Sequence, residues 1–474
     1  MNGRLSTIRP SEGEEPIRLE GFGPRDLYQR REKIFTRFVG GFYQRLRFFT
    51  GWPLLAGYFL LPWLQWGGRQ AVLFDLPARQ FHVLGATFWP QDFWLLGWLL
   101  IIAAFALFTF TTLVGRIWCG YTCPQTVWTA IFMWIEQFTE GERHQRIRLD
   151  KAPLSFEKVR KRSLKHAMWL TVAVFTGLTF VGYFTPIREL VTDLATFSVH
   201  PWGGFWVAFF TAATYVNAGW MREQVCIYMC PYARFQSAMF DPDTLVVSYD
   251  ALRGEPRGAR KRGPRDPESA LGDCIDCTLC VQVCPTGIDI RDGLQYQCIG
   301  CAHCIDACNQ VMNRMGYEPG LIRYTTETAL AGGRTHWLRP RSIGYGAALL
   351  MMTGALGYAL LARTSFEVDV LRERGSLYER LDGELIGNQY RLRLLNKTQQ
   401  PVHLEVSAQS DPRVTLSLEQ PVMLHPAELL DLPLTITAPA DSLRSPNVPV
   451  TIRVCEAASG RCNAEETRFL GPSS

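Results

Sequence analysis

Eight of the fourteen cysteines fall between Cys274 and Cys308, in two runs. The first is Cys274-x-x-Cys277-x-x-Cys280-x-x-x-Cys284-Pro285 and the second is Cys298-x-x-Cys301-x-x-Cys304-x-x-x-Cys308. Three thiols at a step of three residues wrap one face of a cubane cluster, and the fourth, set further along, reaches across to a neighbouring cluster. The pattern predicts one [4Fe–4S] centre on Cys274, Cys277, Cys280 and Cys308, and a second on Cys284, Cys298, Cys301 and Cys304. Cys-x-x-Cys pairs also bind zinc. Zinc does not call for a third cysteine at the same step and a fourth one residue further on, twice over. Asn309 stands where the second run would carry the counterpart of Pro285; it is no ligand, so the difference bears on local turn geometry and not on the cluster.

At 474 residues the chain has room for several domains. Its 14 Trp and 28 Phe crowd into a few apolar stretches. Five segments, 48–66, 94–115, 167–187, 203–221 and 343–361, each approach the ~20 residues that cross a bilayer. Trp63, Trp66, Trp94, Trp98, Trp202 and Trp220 lie near their ends, as interfacial tryptophans do. The first 47 residues are polar and charged, with no secretory signal, and residues 1–30 read as a flexible cytoplasmic tail.

Positive charge alternates along the loops. Arg30, Arg31, Lys33, Arg37, Arg45 and Arg47 precede or open the first span. Only Arg69 and Arg79 lie in 67–93, while 139–166 holds Arg143, Arg146, Arg148, Lys158, Arg160, Lys161, Arg162 and Lys165. Residues 188–202 have only Arg188, and 222–342 is basic again. The positive-inside rule then places the N-terminus and the cluster runs in the cytoplasm and the stretch after the fifth span outside. The apolar segment 117–138 does not fit as a sixth span: it would put the basic 139–166 loop outside, and it contains Glu136. It reads as a helix lying at the cytoplasmic face or dipping partly into the membrane.

Beyond residue 365 the period changes to two. Runs at Tyr390–Leu395, Val402–Val406, Val414–Leu418, Leu432–Ile436 and Val448–Val454 are separated by turn residues, which predicts a small β-sandwich. Cys455 and Cys462 flank a short turn there. An oxidising exterior permits a hairpin disulfide, with two free thiols as the alternative. The sequon Asn396-Lys397-Thr398 is too short a pattern to carry function. Residues 253–270, rich in Arg, Gly and Pro, read as a solvated linker nearer to lipid headgroups than to nucleic acid.

The remaining four cysteines form a repeated site. Cys119-Gly-Tyr-Thr-Cys123-Pro124 follows the second span and Cys226-Ile-Tyr-Met-Cys230-Pro231 follows the fourth. Either both sulfurs of a motif share one side of a helix, or the proline opens a helix whose N-terminus favours the thiolate. In both cases four sulfurs can converge at the membrane edge. Soft thiolates, with Met229 nearby, suit Cu(I) better than Cu(II). The plainer reading is four cysteines packed as small apolar residues. His144, His166 and His303 could assist a metal.

The stretches Gly68–Phe81, Trp89-Pro-Gln-Asp-Phe93, Cys119-Gly-Tyr-Thr-Cys-Pro-Gln125, Cys230-Pro-Tyr-Ala-Arg-Phe-Gln236 and Gly320-Leu-Ile-Arg-Tyr324, with the double cluster motif, resemble the cytochrome c oxidase accessory family CcoG, also called FixG or RdxA. The resemblance runs from about residue 30 to the outer β domain. It implies a bacterial inner-membrane protein acting in cbb3-type oxidase assembly, reducing Cu(II) to Cu(I) in the cytoplasm for the oxidase copper centre. It further implies a copper-exporting P-type ATPase and small membrane assembly proteins as partners, and an immunoglobulin-like outer domain.

The expected architecture is a multi-domain membrane protein: a tail over 1–47, a membrane domain over 48–240 with four of five transmembrane helices, a cytoplasmic bicluster ferredoxin-like α+β domain over 241–342, a fifth span over 343–361 and an Ig-like sandwich over 365–474. Electrons would pass from an external donor through two [4Fe–4S] clusters to copper at Cys119, Cys123, Cys226 and Cys230. No Gly-x-Gly-x-x-Gly follows a strand, so a separate protein or quinol supplies them. The rivals are a quinol-oxidising membrane ferredoxin subunit feeding an outer reductase, against which the large outer β domain argues, and a non-enzymatic copper carrier.

Overall fold

The computed structural model describes residues 33–262, 271–373, 375, 377–381, 384–410, 414–418, 421–443 and 445–472. Most of the tail read over 1–47, and residues 263–270 of the basic stretch, lie outside them. Helix α1 (Phe42–Leu60) leads into a small antiparallel sheet of β1 (Val72–Asp75), β2 (Gln80–Val83) and β3 (Ala86–Phe88). Then come α2 (Phe93–Val114), α3 (Ile117–Tyr121), α4 (Pro124–Glu140), α5 (Phe156–Val181) and α6 (Pro201–Thr214). Among the described residues three helices are long and apolar enough to cross a membrane: Pro90–Val114, Phe156–Val181 and Pro340–Leu361.

Two of the five expected spans fall short of that measure, each for a visible reason. Helix α1 carries Gln44, Arg45, Arg47 and Pro53, and it ends at Leu60 before the chain turns into a hairpin. Helix α6 stops after 14 residues, where the winding changes to π over Tyr215–Met221 and again over Val225–Met229. Single π turns are uncommon and concentrate at functional places. Helix α5 starts well before the expected residue 167 because Ser155 caps it, its hydroxyl accepting from the Lys158 amide at 3.2 Å. A cap of this kind contributes ~1 kcal/mol.

Residues 117–138 break at Cys123-Pro124 into α3 and α4. One face of α4 packs Phe132 and Ile135 against Trp169 and Ala173 of α5 and against Ala218. The same face buries Glu136, whose carboxylate lies 2.7 Å from Arg222, 3.2 Å from Arg146 and 3.8 Å from Lys165. Glu140 lies 2.8 Å from Lys165. Burial opposes ionisation of Glu136, and Arg222, Lys165 and Arg146 overcome it, holding the carboxyl below its ordinary range.

The cluster-bearing region pairs β4 (Val246–Tyr249) with β5 (Ile322–Thr325) and packs α8 (His303–Met315) beneath them, after a short α7 (Pro231–Met239). Asn309 lies inside α8, where a proline would delete a helical hydrogen bond. Its side chain instead accepts from the Gly320 amide at 2.8 Å. Helix α9 (Pro340–Leu361) leads to the C-terminal domain, with apolar side chains such as Leu350, Met351 and Leu361 exposed.

The C-terminal domain is a two-sheet antiparallel sandwich. Its strands are β6 (Phe366–Arg372), β7 (Glu379–Leu381), β8 (Leu385–Asn396), β9 (Val402–Ser410), β10 (Thr415–Ser417), β11 (Val422–Leu424), β12 (Leu429–Pro439), β13 (Asn447–Glu456) and β14 (Cys462–Leu470). One sheet runs β10-β12-β8-β6, with β7 also on β8; the other runs β11-β9-β13-β14. Alternation sends Leu392, Leu394, Leu404, Ile436, Ile452 and Val454 into the shared core. Cys455 and Cys462 are cross-strand partners joined by a disulfide.

Candidate iron–sulfur and thiol site

Both cysteine runs fold into the same loop. In the first, Asp276 and Thr278 adopt positive φ, at 51° and 55°; in the second, Gly300 and Ala302 do so, at 67° and 61°. Left-handed backbone costs non-glycine residues ~1 kcal/mol or more. The second and fourth loop positions after Cys274 and after Cys298 bear this conformation alike, so each loop curls its sulfurs inward before a helix begins. Cys274, Cys277, Cys280 and Cys308 line one cavity. Cys284, Cys298, Cys301 and Cys304 line the next, and Cys280 touches both. Val247, Ile288, Ile290 and Ala302 supply apolar wall around the second cavity.

Among the described residues no three Cys, His, Asp or Glu side chains close on a single metal ion. Two four-sulfur cavities with apolar walls fit a polynuclear iron–sulfur group instead. Burial pushes the Cys280, Cys298 and Cys308 thiols up to about 12, so metal must displace protons to bind there.

The two Cys-x-x-x-Cys-Pro motifs both open helices. Cys123 is the N-cap of α4 and Cys230 the N-cap of α7, each followed by proline in the first turn. Two contacts bind the motifs to each other. The Cys119 thiol donates to Gln236 Oε1 of α7 at 3.3 Å. The Gln125 amide donates to the carbonyls of Asn217 at 2.9 Å and Arg222 at 3.2 Å. The expected helix-end activation of the thiols loses to burial: Cys119 and Cys226 are pushed up to about 12 and Cys123 is raised, with the neighbouring thiols adding to the effect. The four sulfurs share one neighbourhood without reaching single-ion distance.

Of the other donors read from the sequence, Met229 and His144 are exposed. His166 bonds the Tyr215 hydroxyl at 2.7 Å, and His303 faces Gln44 and Arg47.

The first motif sits directly on the second cluster loop. A Cβ at Gly120 would lie 2.7 Å from the Gly300 oxygen and 3.0 Å from that of Ile299, so the two backbones are in contact. Arg47 donates to the Gly120 carbonyl at 2.8 Å, and Tyr324 donates to the Gly300 carbonyl at 2.5 Å. Arg116, buried, donates to the carbonyls of Tyr296 and Ala233, and to that of Cys298 at 3.3 Å. Its guanidinium thus lies between the Cys298 loop and the helix opened by Cys230. A cavity that includes Cys226, Glu223 and Arg222 is closed on its other side by Thr286 and Ile299. Asp306 of α8 accepts from the amides of Tyr43 at 3.2 Å and Gln44 at 2.8 Å, capping α1 from another domain.

None of Arg116, Gly300 or Asp306 was singled out in the sequence, and Gly120 and Gln236 entered only as parts of their motifs. One signal was there: an arginine precedes each motif, Arg116 before Cys119 and Arg222 before Cys226.

This arrangement has close relatives. Nitrogen fixation protein FixG of Rhizobium meliloti is 38% identical over 427 residues, covering 82% of each chain. The chain belongs to the FixG/RdxA family. Protein RdxB of Cereibacter sphaeroides is 42% identical, covering 86% of this chain and 87% of its own, and protein RdxA of the same organism is 38% identical over 94% and 99%. A 4Fe-4S dicluster domain family matches residues 221–327, a 4Fe-4S binding domain family matches 96–138, and the family described as the IG-like fold at the C-terminus of FixG matches 356–472. The crystal structure of a FixG-related protein from Vibrio parahaemolyticus matches 23% of this chain and 97% of its own at 26% identity, with a TM-score of 0.22, too low to inform the arrangement. This FixG/RdxA protein is therefore an iron–sulfur protein with helices suited to a membrane and an Ig-like C-terminal domain.

Proposed function

We propose that this FixG/RdxA protein is a membrane-bound cupric reductase that supplies Cu(I) for assembly of a cbb3-type cytochrome oxidase. Cys274, Cys277, Cys280 and Cys308 would hold one [4Fe–4S] cluster, and Cys284, Cys298, Cys301 and Cys304 the other. When bound, such clusters store and release single electrons. The residues of the chain do the rest. Gly120 and Gly300 let the membrane-edge thiols lie against the second loop, and Arg116 places a fixed cation between the two sites.

Copper(II) is the substrate. It takes one electron at Cys119, Cys123, Cys226 and Cys230 and becomes Cu(I), which soft sulfur ligands prefer. The thiols release protons as they bind it. The alternation of basic loops supports a cytoplasmic place for this site and the clusters, with the Ig-like domain outside. A copper-exporting P-type ATPase would take the product.

The observation that carries this reading is the backbone contact of Gly120 with Gly300, which leaves no layer of protein between the two sulfur-rich loops. The test is the Cys119→Ala/Cys226→Ala variant. It should keep its cluster absorbance and lose Cu(I) production, followed with a Cu(I)-specific chelator. Full Cu(II) reduction by that variant sinks the reading.

A further inference from the structure

We propose that the basic segment Arg253–Arg262, folded against the ligand loop of the first cavity, is the docking surface for a small acidic electron-carrier protein. This rests on the reading that the chain transfers electrons. The segment holds five basic residues and one acidic one, Glu255. It is not a free linker. The Gly258 amide donates to the Cys274 carbonyl at 3.1 Å, and the Cys274 amide donates to Gly254 at 3.3 Å. Arg260 bonds the carbonyls of Gly272 and Cys274 and lies over the Tyr317 ring. The segment is therefore fixed beside the first cysteine of the first cavity.

Charge there is unevenly matched. Arg253 pairs with Asp273 at 2.6 Å, and Arg257 faces Glu255 at 3.6 Å and Asp292 at 3.8 Å. Of the other carboxylates in this region, Asp276 and Asp289 pair with Arg291, and Asp250, which accepts from the Arg253 amide at 3.1 Å, pairs with Arg323. Lys261 and Arg262 are exposed, and among the described residues neither pairs with a carboxylate. Cys277, which lines the first cavity with Arg291, is the exposed member of the eight ferredoxin-type cysteines. The second cavity faces the other way, covered by α1, α3 and α7 through Arg47, Gly120 and Arg116. Electrons from solution thus meet the first cavity, at a rim where Lys261 and Arg262 stand exposed.

The chain shows no nucleotide-binding fingerprint, so its reductant is a separate molecule. Complementary charge steers a protein partner to such a rim and raises its association rate. A lipid surface is the poorer match, because among the described residues the hydrogen bonds of 253–262 stay within the cluster region, to Asp250, Gly272, Asp273, Cys274, Glu318 and Pro319, and none reaches a membrane helix. The step is a one-electron exchange: the carrier is oxidised, the first centre is reduced, and no bond is made or broken.

The test uses full-length protein in detergent and a photoreduced acidic [2Fe–2S] ferredoxin, followed by stopped flow at low and high salt. The wild type should react fastest at low salt. Lys261→Glu/Arg262→Glu should slow that low-salt rate by roughly tenfold, and the two should converge at high salt. Lys261→Gln/Arg262→Gln should fall between them. Dithionite-reduced samples of all three should give equal cluster paramagnetic resonance, which separates loss of docking from loss of clusters. Equal low-salt rates overturn the proposal. So does an unchanged carrier rate with lost binding to phosphatidylglycerol vesicles, which assigns the patch to lipid.

Discussion

Replacing Gly120 by alanine tests whether the membrane-edge motif must touch the second cluster loop. The new Cβ would sit 2.7 Å from the Gly300 oxygen, 2.9 Å from its carbonyl carbon and 3.0 Å from the Ile299 oxygen. All three are backbone atoms, so no side chain can swing away. Ordinary carbon contacts need about 3.5 Å, so the loops must part by somewhat under 1 Å. Overpacking of this kind costs ~1–3 kcal/mol, and the Arg47 bond to the Gly120 carbonyl is strained with it. The variant should retain its cluster absorbance and its reduction by dithionite. Its thermal midpoint should fall by a few degrees, and passage of electrons from reduced protein to Cu(II) should slow. Gly97→Ala is the control, since Gly97 lies in α2 with nothing within 4 Å of its Cβ position. Wild-type midpoint and wild-type copper kinetics in Gly120→Ala would refute the contact argument.

Glu136→Gln should destabilise the helical region by ~3–5 kcal/mol, because Arg222 and Arg146 would keep their buried charge without the Glu136 carboxylate, while Lys165 retains Glu140; denaturation followed by tryptophan fluorescence measures it. The folded carboxyl titrates below its unfolded value, so this stabilisation is present above the ordinary carboxylate range and is lost as pH falls through the folded value. Arg116→Gln should leave iron content unchanged while shifting one cluster to a more negative potential in a paramagnetic-resonance redox titration, because a buried cation beside the Cys298 loop favours the added electron. Cys455→Ala/Cys462→Ala opens a loop with a sequence separation of 7. It should lower the stability of the Ig-like domain by ~2.5 kcal/mol, seen as an earlier unfolding transition with the cluster absorbance intact.

The cluster cysteines were legible because their spacing is local: a loop of seven residues carries three ligands whatever surrounds it. The sandwich was legible where both faces alternate, as in Val402–Val406 and Val448–Val454. Strand β14 was not, because it is an edge strand whose Glu465, Glu466 and Arg468 break the apolar alternation. The small sheet over Val72–Phe88 was missed for similar reasons of brevity. Glu136 was read as a reason against a span, and its charge is in fact matched by arginines and a lysine from three other segments, which no local pattern reveals. The thiol activation expected of a helix N-terminus was overturned by burial, a property of the packed fold. The basic stretch expected to be a solvated linker proved, up to Arg260, to be bonded to the Cys274 loop. Long-range approaches such as Gly120 on Gly300 and Asp306 on α1 leave no trace in spacing.

The most direct measurement mixes anaerobic, dithionite-reduced and desalted protein with Cu(II) and follows both metals by rapid-freeze paramagnetic resonance. The reduced-cluster and Cu(II) signals should vanish together, electron for electron, up to about two copper ions per polypeptide for two one-electron centres. A Cu(II) signal that persists beside fully reduced clusters would contradict the account.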